Sequence, residues 1–273
     1  MFNFQRKLPS FSVVSPGSTA AVLIPRGPTY QTIVLNYKRN GVDATEAQVK
    51  SDLKQVRLKI NGVTRYEVSG KHLIDIMNKY YGIGFTAGLI VIPLTRPWHK
   101  TIEGEENLGW GTKNVDTFGI EVDIDAAAVS PTLTGEALIL PVERDLGLIV
   151  EVHELNFSSA VAGQFEIPNL PRGNGDMVAI HLDSANVTAA EAFLNQVPAI
   201  EGSAAITKSI QTWMTERSPQ TGYQHLDALV RNRIADVWPL KGVEDFRLKL
   251  TMSAAGAVGL VMETMNAPLA PTR

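Results

Sequence analysis

Residues 116–128 read DTFGIEVDIDAAA, and this stretch decides the fold. Apolar side chains stand at positions 118, 120, 122 and 124, and they alternate with acidic side chains at 121, 123 and 125. An alternation with a period of two predicts a β-strand that has one buried face and one face in water. A shift of one residue would bury all three carboxylates, at a cost of several kcal/mol each, so the pattern sets the register firmly.

The same pattern returns at residues 244–255, which read EDFRLKLTMSAA. Here the apolar positions 246, 248, 250 and 252 alternate with Arg247, Lys249 and Thr251. Both copies end in an Ala-rich turn and lead to a second apolar strand, at 137–142 in the first copy and 258–262 in the second. The repeated strand pair suggests that the chain is built from two related halves.

Two further landmarks recur in the same order as the strand pair. A helix start at 41–46, with Asp43 as the cap and Glu46 three residues later, is echoed at 186–191. Helix positions 73, 77 and 80 share their spacing with Ile206, Ile210 and Trp213. The three offsets are 145, 133 and 128 residues, the shrinking series that two copies with different loop lengths would give. The alternative is that a β-rich chain produces such alternations by chance.

Other segments predict short strands, tight turns and few helices. A hairpin is expected at 56–68, because Asn61 and Gly62 are the preferred pair of a type I′ turn, and an amphipathic helix is expected at 223–235. This organisation predicts an all-β fold of two tandem eight-stranded antiparallel jelly rolls, a double jelly roll with short helices on the connections. The expected domains are residues 1–145, which include an N-terminal arm at 1–20, and residues 146–273.

The composition is that of an ordinary soluble globular protein, with 44% hydrophobic and 19% charged residues. A net charge of −3 gives no basic field, so direct sequence-specific binding of nucleic acid is not expected. The chain has no cysteine, which excludes disulfides, zinc–thiolate sites and thiol nucleophiles. Residues 1–9 lack the apolar segment of a signal peptide, and we expect a soluble protein made in a cytoplasm.

Few residues suggest binding or catalytic chemistry. The G-x-G-x-x-A pattern at 82–87 follows a predicted helix, whereas a dinucleotide-binding loop follows a strand. The five histidines are dispersed along the chain: His72, His99, His153, His181 and His225. His181 with Asp183 comes nearest to a metal-ligand pair, and the three carboxylates Glu121, Asp123 and Asp125 could bind calcium. The simpler interpretations are a strand-end pair and a solvated strand face, so no catalytic, cofactor-binding or metal-binding residue is assigned.

Four segments together resemble a known family of virus proteins. Residues 24–37, 56–62, 121–128 and 245–250 are similar to the major capsid proteins of corticovirus-type bacteriophages, which are tailless, icosahedral and contain an internal lipid membrane. The resemblance covers most of both halves in the same order. It fades at 98–114 and 198–238, which are expected to be exposed or subunit-specific loops, with 98–111 and 218–238 facing outward.

The resemblance implies a structural, non-enzymatic subunit of a virion. It implies a double jelly roll that forms homotrimers, in which six similar rolls give a pseudo-hexagonal capsomer of an icosahedral shell. The expected partners are neighbouring capsomers, a penton or vertex protein, and viral membrane proteins or lipid on the inner side. Assembly is expected in the cytoplasm of a bacterial host. The family is also associated with calcium in its shell, but no ligand can be assigned by residue number, so no cofactor is expected.

Two alternatives and one hypothesis accompany this prediction. A duplicated jelly roll could instead be a bicupin-like metal enzyme or a carbohydrate-binding protein, and a minor spike protein is a third option. The acidic face of 121–125 and the basic face of Arg247 and Lys249 suggest that complementary charge specifies which roll meets which. The simpler interpretation is that both faces are solvated.

Overall fold

The fold is described from a computed structural model, which covers residues 4–99, 101, 103–172, 175–215 and 217–268. These residues fall into two units, one within Met1–Val152 and Ala267–Arg273 and the other within His153–Asn266. Each unit has its own hydrophobic core between β-sheets.

The first unit contains two sheets and a buried aromatic cluster. Its strands are β1 Phe4–Lys7, β2 Thr19–Leu23, β3 Thr29–Arg39, β4 Val42–Asp43, β5 Leu53–Ile60, β6 Val63–Val68, β7 Leu89–Pro93, β8 Trp110–Gly111, β9 Phe118–Ile124 and β10 Pro131–Leu140. One sheet has the order β1-β10-β3-β4, with β7 and β8 also paired to β3, and the other runs β6-β5-β9-β2. Between them, the ring of Phe118 lies 5.3 Å from that of Tyr30 and 5.7 Å from that of Trp110.

Strand β11 leads from the first unit into the second. It spans Ile149–Ser159, and in the first unit its Val152 pairs in parallel with Tyr66 of β6. The later strands are β12 Gly163–Ile167, β13 Asp176–Asp183, β14 Val187–Leu194, β15 Val197–Ser203, β16 Tyr223–Asp227, β17 Phe246–Met252 and β18 Gly256–Asn266. In the second unit one sheet has the order β12-β17-β14-β15, and β16, β13 and β18 are neighbours in the other. The core between them includes Phe246, Leu248 and Leu260.

The helices lie on connections between strands, as predicted. They are α1 Glu46–Asp52, α2 Gly70–His72, which continues as a π-helix over Leu73–Tyr80, and α3 Ala204–Thr215. Shorter turns of helix span Pro97–His99, Glu103–Asn107 and Ile234–Asp236.

The predicted cap of α1 is wrong by two residues. Asp43 lies in β4, opposite Lys38, and Thr45 caps the helix instead. The Thr45 hydroxyl accepts a hydrogen bond from the backbone of Gln48, whose side chain accepts one from the backbone of Thr45. The capping box is therefore present with glutamine as its second member.

Corresponding turns in the two units make the same contacts. Asn61 lies between β5 and β6, and its side-chain oxygen accepts hydrogen bonds from the backbone of Asp116 and Thr117 at 2.7 and 3.0 Å. Asn195 lies between β14 and β15, and its oxygen accepts from the two residues that precede β17, at 2.8 and 3.1 Å. Both turns have two successive residues with positive φ, as a type I′ turn requires. We therefore match β14, β15 and β17 with β5, β6 and β9.

This correspondence shows that one of the three features used to identify the repeat was assigned to the wrong secondary structure. Residues 186–191 were predicted to start a helix, but Val187–Leu194 is strand β14, the counterpart of β5. The sequence misled because a Ser/Thr/Asn followed by Glu also occurs before strands, where the polar residue forms a turn. The other two landmarks are confirmed, since the helix at 73–80 corresponds to α3 and strand β9 corresponds to β17.

The predicted helix at 223–235 is also wrong. Tyr223–Asp227 is the buried strand β16, and only Ile234–Asp236 forms a turn of 3₁₀-helix. The strand was hidden because polar side chains of β16 are buried against polar partners, so the apolar alternation is absent. Asp227, for example, accepts a hydrogen bond from Arg217 at 3.2 Å, with both side chains buried.

Neither segment where the resemblance fades is simply a loop. Within 98–114, Leu108 and Trp110 are buried, and the ring of Trp98 stacks on Tyr81 at 4.4 Å. The guanidinium of Arg96, which is also buried, lies 5.4 Å from the Trp98 ring. Residues 198–238 include most of β15, all of α3 and all of β16.

Candidate assembly surfaces

Helix α3 turns its apolar side chains outward. Its buried residues are polar, Thr207 and Gln211. The exposed side chains form one stripe along the helix, with exposed fractions of 62% for Ile206, 42% for Ile210, 82% for Trp213 and 43% for Met214. A surface helix normally shows the opposite arrangement, with apolar residues towards the core. An exposed apolar stripe on a folded domain marks an interaction site.

A side-chain amide holds α3 to the second unit by its polar face. The Gln211 amide nitrogen donates a hydrogen bond to the backbone oxygen of His225, on β16, at 2.7 Å. The matching helix of the first unit is held in the same way, because Asn78 donates to the backbone oxygen of Val91, on β7, at 2.8 Å. The two helices are therefore held to their units by equivalent amide contacts.

The outer faces of the two helices differ. In the first unit, positions 73, 77 and 80, which match those of the α3 stripe, are fully buried. Helix α1 packs against the start of that helix so closely that a Cβ atom on Gly70 would lie 2.6 Å from the Val49 oxygen. Lys50 adds an ion pair with Asp75 at 2.6 Å. In the second unit the connection that enters β14 consists of residues 184–186 and carries no helix.

The first unit carries a concave apolar surface, which we call the β2 groove. It lies beside β2, the outermost strand of its sheet, and is an open depression of about 650 Å³ lined by Pro9, Val22, Leu23, Gly62, Gly119 and Ile120 among others. Leu23 is 70% exposed at its rim. The charged lining residues Lys59 and Glu121 form an ion pair at 2.6 Å, so this pair adds no net charge to the groove.

The acidic face of β9 is neutralised within the first unit. Arg57 reaches Asp123 at 2.7 Å and Glu121 at 3.3 Å, and Lys54 reaches Asp125 at 2.8 Å. Burial opposes ionisation of Asp123, but hydrogen bonds from Arg57 and from Thr19 outweigh burial and hold its pKa below the usual range. The hydrogen bond from Lys54 likewise lowers the pKa of Asp125.

The basic face of β17 has partners in the second unit. Arg247 forms an ion pair with Glu166 at 3.3 Å, and Lys249 lies opposite Glu191 of β14. Each face therefore has residues of opposite charge beside it in its own unit, and the hypothesis that complementary charge specifies which roll meets which stays a prediction. The carboxylates proposed for calcium already have lysine or arginine partners.

Histidines that are far apart in sequence meet in the second unit. His181 of β13 and His225 of β16 are fully buried, and their Nδ1 atoms are 2.7 Å apart. On the other side of its ring, His181 Nε2 lies 2.9 Å from a carboxylate oxygen of Glu263, on β18. Burial is the main cause that lowers the pKa of His225 well below its usual value, with further contributions from His181 and Lys208.

This cluster does not have the geometry of a metal site. His225 and Glu263 contact opposite sides of the His181 ring, so the three residues do not point at a common centre. Throughout the described part of the chain, no three His, Asp or Glu side chains converge as metal ligands. The predicted partner of His181 was Asp183, and the sequence missed its actual contacts because they depend on the pairing of three strands.

The remaining candidate residues take structural positions. Gly82 and Gly84 have positive φ in the turn between the π-helix and β7, so the 82–87 pattern does not form a dinucleotide-binding loop. His72 lies 3.2 Å from the Ser69 hydroxyl at the start of α2, and His99 is buried next to Trp98. His153 is part of β11. Among the residues covered by the structure, no helix is long and apolar enough to span a lipid bilayer.

Two successive units, each with two β-sheets around a core, define a double jelly roll. Family models agree with this division: the viral coat protein P2 N-terminal domain matches residues 5–141, and the viral coat protein P2 C-terminal domain matches residues 149–268. The chain therefore belongs to the viral coat protein P2 family, and its class is that of the capsid proteins.

A sequence relative identifies the type of virus. Major capsid protein P2 of Pseudoalteromonas phage PM2 is 29% identical over 195 residues, which are 67% of each chain. Its crystal structure superimposes with a TM-score of 0.88 at 22% identity, over 97% of this chain and 98% of that one. The resemblance found in the sequence is thereby confirmed, and the chain is a capsid protein of a bacteriophage virion.

More distant structures share the fold alone. The crystal structure of the STIV MCP has a TM-score of 0.70 at 14% identity, over 98% of each chain. The PBCV-1 virus capsid has a TM-score of 0.67 at 9% identity, over 97% of this chain and 94% of that one. The predicted double jelly roll is confirmed.

Proposed function

We propose that this capsid protein assembles as a homotrimer, and that its two rolls, at residues 1–145 and 146–273, give each trimer six similar positions. Such a trimer is a pseudo-hexagonal capsomer that tiles an icosahedral shell from one gene product. The shell would surround a lipid membrane and contact a penton protein at its vertices. Assembly would take place in the cytoplasm of a bacterial host.

The observation that carries the trimer is the outward apolar stripe of α3. Its four exposed side chains present on the order of 400 Å² of apolar surface, about half of the ~800 Å² that each partner contributes to a standard interface. A contiguous apolar patch of this size is often a functional surface, and burial between subunits would remove it from water.

The same residues support a structural role without catalysis or a cofactor. The carboxylates of β9 are held by lysine and arginine, and the buried histidines contact each other and Glu263. These contacts stabilise the units and leave the side chains unsuited to bind a transition metal. Calcium, if the shell needs it, would then have to bind elsewhere on the subunit.

Light scattering coupled to size-exclusion chromatography tests this proposal, together with elemental analysis. We expect a trimer of 29.7 kDa chains without stoichiometric transition metal. Trp213→Ser should shift the protein towards monomer, whereas Val42→Ser, which changes an exposed valine on β4 of the first unit, should leave the trimer intact. A wild-type monomer or dimer with bound iron or manganese would contradict the proposal and favour a bicupin-like enzyme.

A further inference from the structure

We propose that the α3 stripe of one chain packs into the β2 groove of a second copy of the chain. This inference rests on the proposed trimer and names the two surfaces that would hold it together. A closed ring with threefold symmetry needs a heterologous contact, in which two different surfaces of the same chain meet. An apolar projection and an apolar groove on one chain can supply such a pair.

Shape and chemistry favour this partner for α3. Trp213 is the most exposed large apolar residue of the described chain, and the groove is an open depression of about 650 Å³ beside Leu23, which is also highly exposed. An indole ring that inserts there would cover the exposed Leu23 and would itself leave water. Large aromatic side chains that fill a pocket contribute much of the free energy of binding at protein interfaces.

Charge also fits a contact between two copies. The stripe itself contains no charged side chain, and the groove's Lys59 and Glu121 neutralise each other. Neither surface would therefore bury an unpaired charge, the arrangement that costs most at an interface. The groove is rimmed by polar residues such as Ser10, Ser12 and Thr117, which can remain in contact with water.

A lipid surface is a weaker partner for the same helix. Helices that lie in a membrane interface combine an apolar face with several lysines or arginines, which attract anionic lipid. Within α3 the basic residue is Lys208, and the chain as a whole has a net charge of −3. The polar side chain of Gln211 is already used to hold the helix to its own unit. These features favour a protein partner.

Crosslinking tests the contact directly, because the chain has no cysteine. We would prepare Leu23→Cys and Met214→Cys as separate proteins, mix them under conditions that allow subunit exchange, and add a short bismaleimide. We expect a covalent dimer of one chain of each kind. Val42→Cys is the matched control, because Val42 is 68% exposed, close to Leu23, but lies on β4 away from the groove. Its mixture with Met214→Cys should give no such product.

A double-mutant cycle on the dissociation constant of the trimer tests the same contact independently. Trp213→Ser and Leu23→Ser should each raise the dissociation constant of the trimer, Trp213→Ser by about tenfold or more. The double variant should be little worse than Trp213→Ser alone, because residues in contact are not additive. Trp213 emission should shift to shorter wavelength as the trimer forms, and this shift should disappear in Trp213→Phe.

Each outcome separates the inference from the proposed function. A wild-type protein that stays monomeric at micromolar concentration would overturn both. A stable trimer in which Met214→Cys crosslinks only to itself, or in which Leu23 and Trp213 variants act additively, would overturn the contact and leave the trimer. A Trp213→Ser protein that remains trimeric but loses flotation with phosphatidylglycerol vesicles would overturn the contact in favour of a lipid surface.

Discussion

Lowering the pH from 7.5 to 5.5 should destabilise the second unit through His225. This side chain is fully buried, and burial, His181 and Lys208 all lower its pKa well below the usual value. The 2.7 Å contact between the Nδ1 atoms of His225 and His181 requires one of them to donate and the other to accept. The contact is therefore compatible with a neutral His225, whichever ring donates. The buried charges nearby are those of Glu263, beside His181, and Asp227, paired with Arg217.

The sign and size of the effect follow from proton uptake by the unfolded chain. A histidine in an unfolded chain has a pKa of about 6.5, so below that pH the unfolded state binds a proton that the folded state does not. The free energy of unfolding then falls as the pH falls. One pH unit below the unfolded pKa, at pH 5.5, the loss from His225 is on the order of 1 kcal/mol. Above pH 7.5 the contribution of His225 to the free energy of unfolding should not change with pH.

Urea unfolding at pH 7.5 and 5.5 measures this loss when the wild type is compared with His225→Asn. The asparagine amide can replace the Nδ1 group in the contact with His181 but does not titrate in this range. The wild type should lose on the order of 1 kcal/mol more than the variant on acidification. His153→Asn, which changes a histidine that is not fully buried, should retain the wild-type difference. Equal pH dependence in the wild type and His225→Asn would refute the reasoning, as would unchanged amide exchange in β13 and β16 of the wild type.

Three further predictions concern stability. Phe118→Ala and Phe246→Ala, at matching positions in the two cores, should each lower the free energy of unfolding by about 3–5 kcal/mol in urea titrations, and a loss below 1 kcal/mol would contradict the assigned cores. Asn61→Ala should cost about 1 kcal/mol in the same assay, because two backbone N–H groups before β9 lose their acceptor; an unchanged unfolding midpoint would count against that contact. Gly111→Ala should lower the thermal midpoint, because its Cβ atom would clash with the backbone oxygens of Arg144 and Asp145, whereas Gly147→Ala, with open space around it, should not; equal midpoints for the two would argue against the close approach.

The strands with strict alternation could be predicted from sequence almost to the residue. Strand β9 was expected at the positions it occupies, and its counterpart β17 likewise, because a register shift would bury charge. The turn at Asn61 and Gly62 was also predictable, since few residue pairs tolerate two successive positive φ angles. In these places the local sequence alone determines the structure.

Elements whose polar residues are buried could not be predicted in the same way. Strand β16 lacks an apolar alternation because His225 and Asp227 face partners from other strands and from the segment after α3. The pair His181 and His225 has no sequence spacing that would indicate it, because strand pairing alone brings the two together. Helix α3 was predicted from its apolar spacing, but the spacing does not state whether that face is turned towards a core or towards water.

The corresponding helices of the two units are fixed in the same way but differ in the exposure of their other face. Each unit holds its helix by a side-chain amide on the inner face, Asn78 in the first unit and Gln211 in the second. The position of the helix therefore does not depend on contacts made by its outer face. In the first unit, the connection into β5 carries α1, which covers the helix at Gly70. In the second unit the corresponding connection is three residues long, and the apolar stripe of α3 remains open. The matching faces of the two helices therefore differ: positions 73, 77 and 80 are buried in the first unit, whereas the stripe of α3 is exposed in the second.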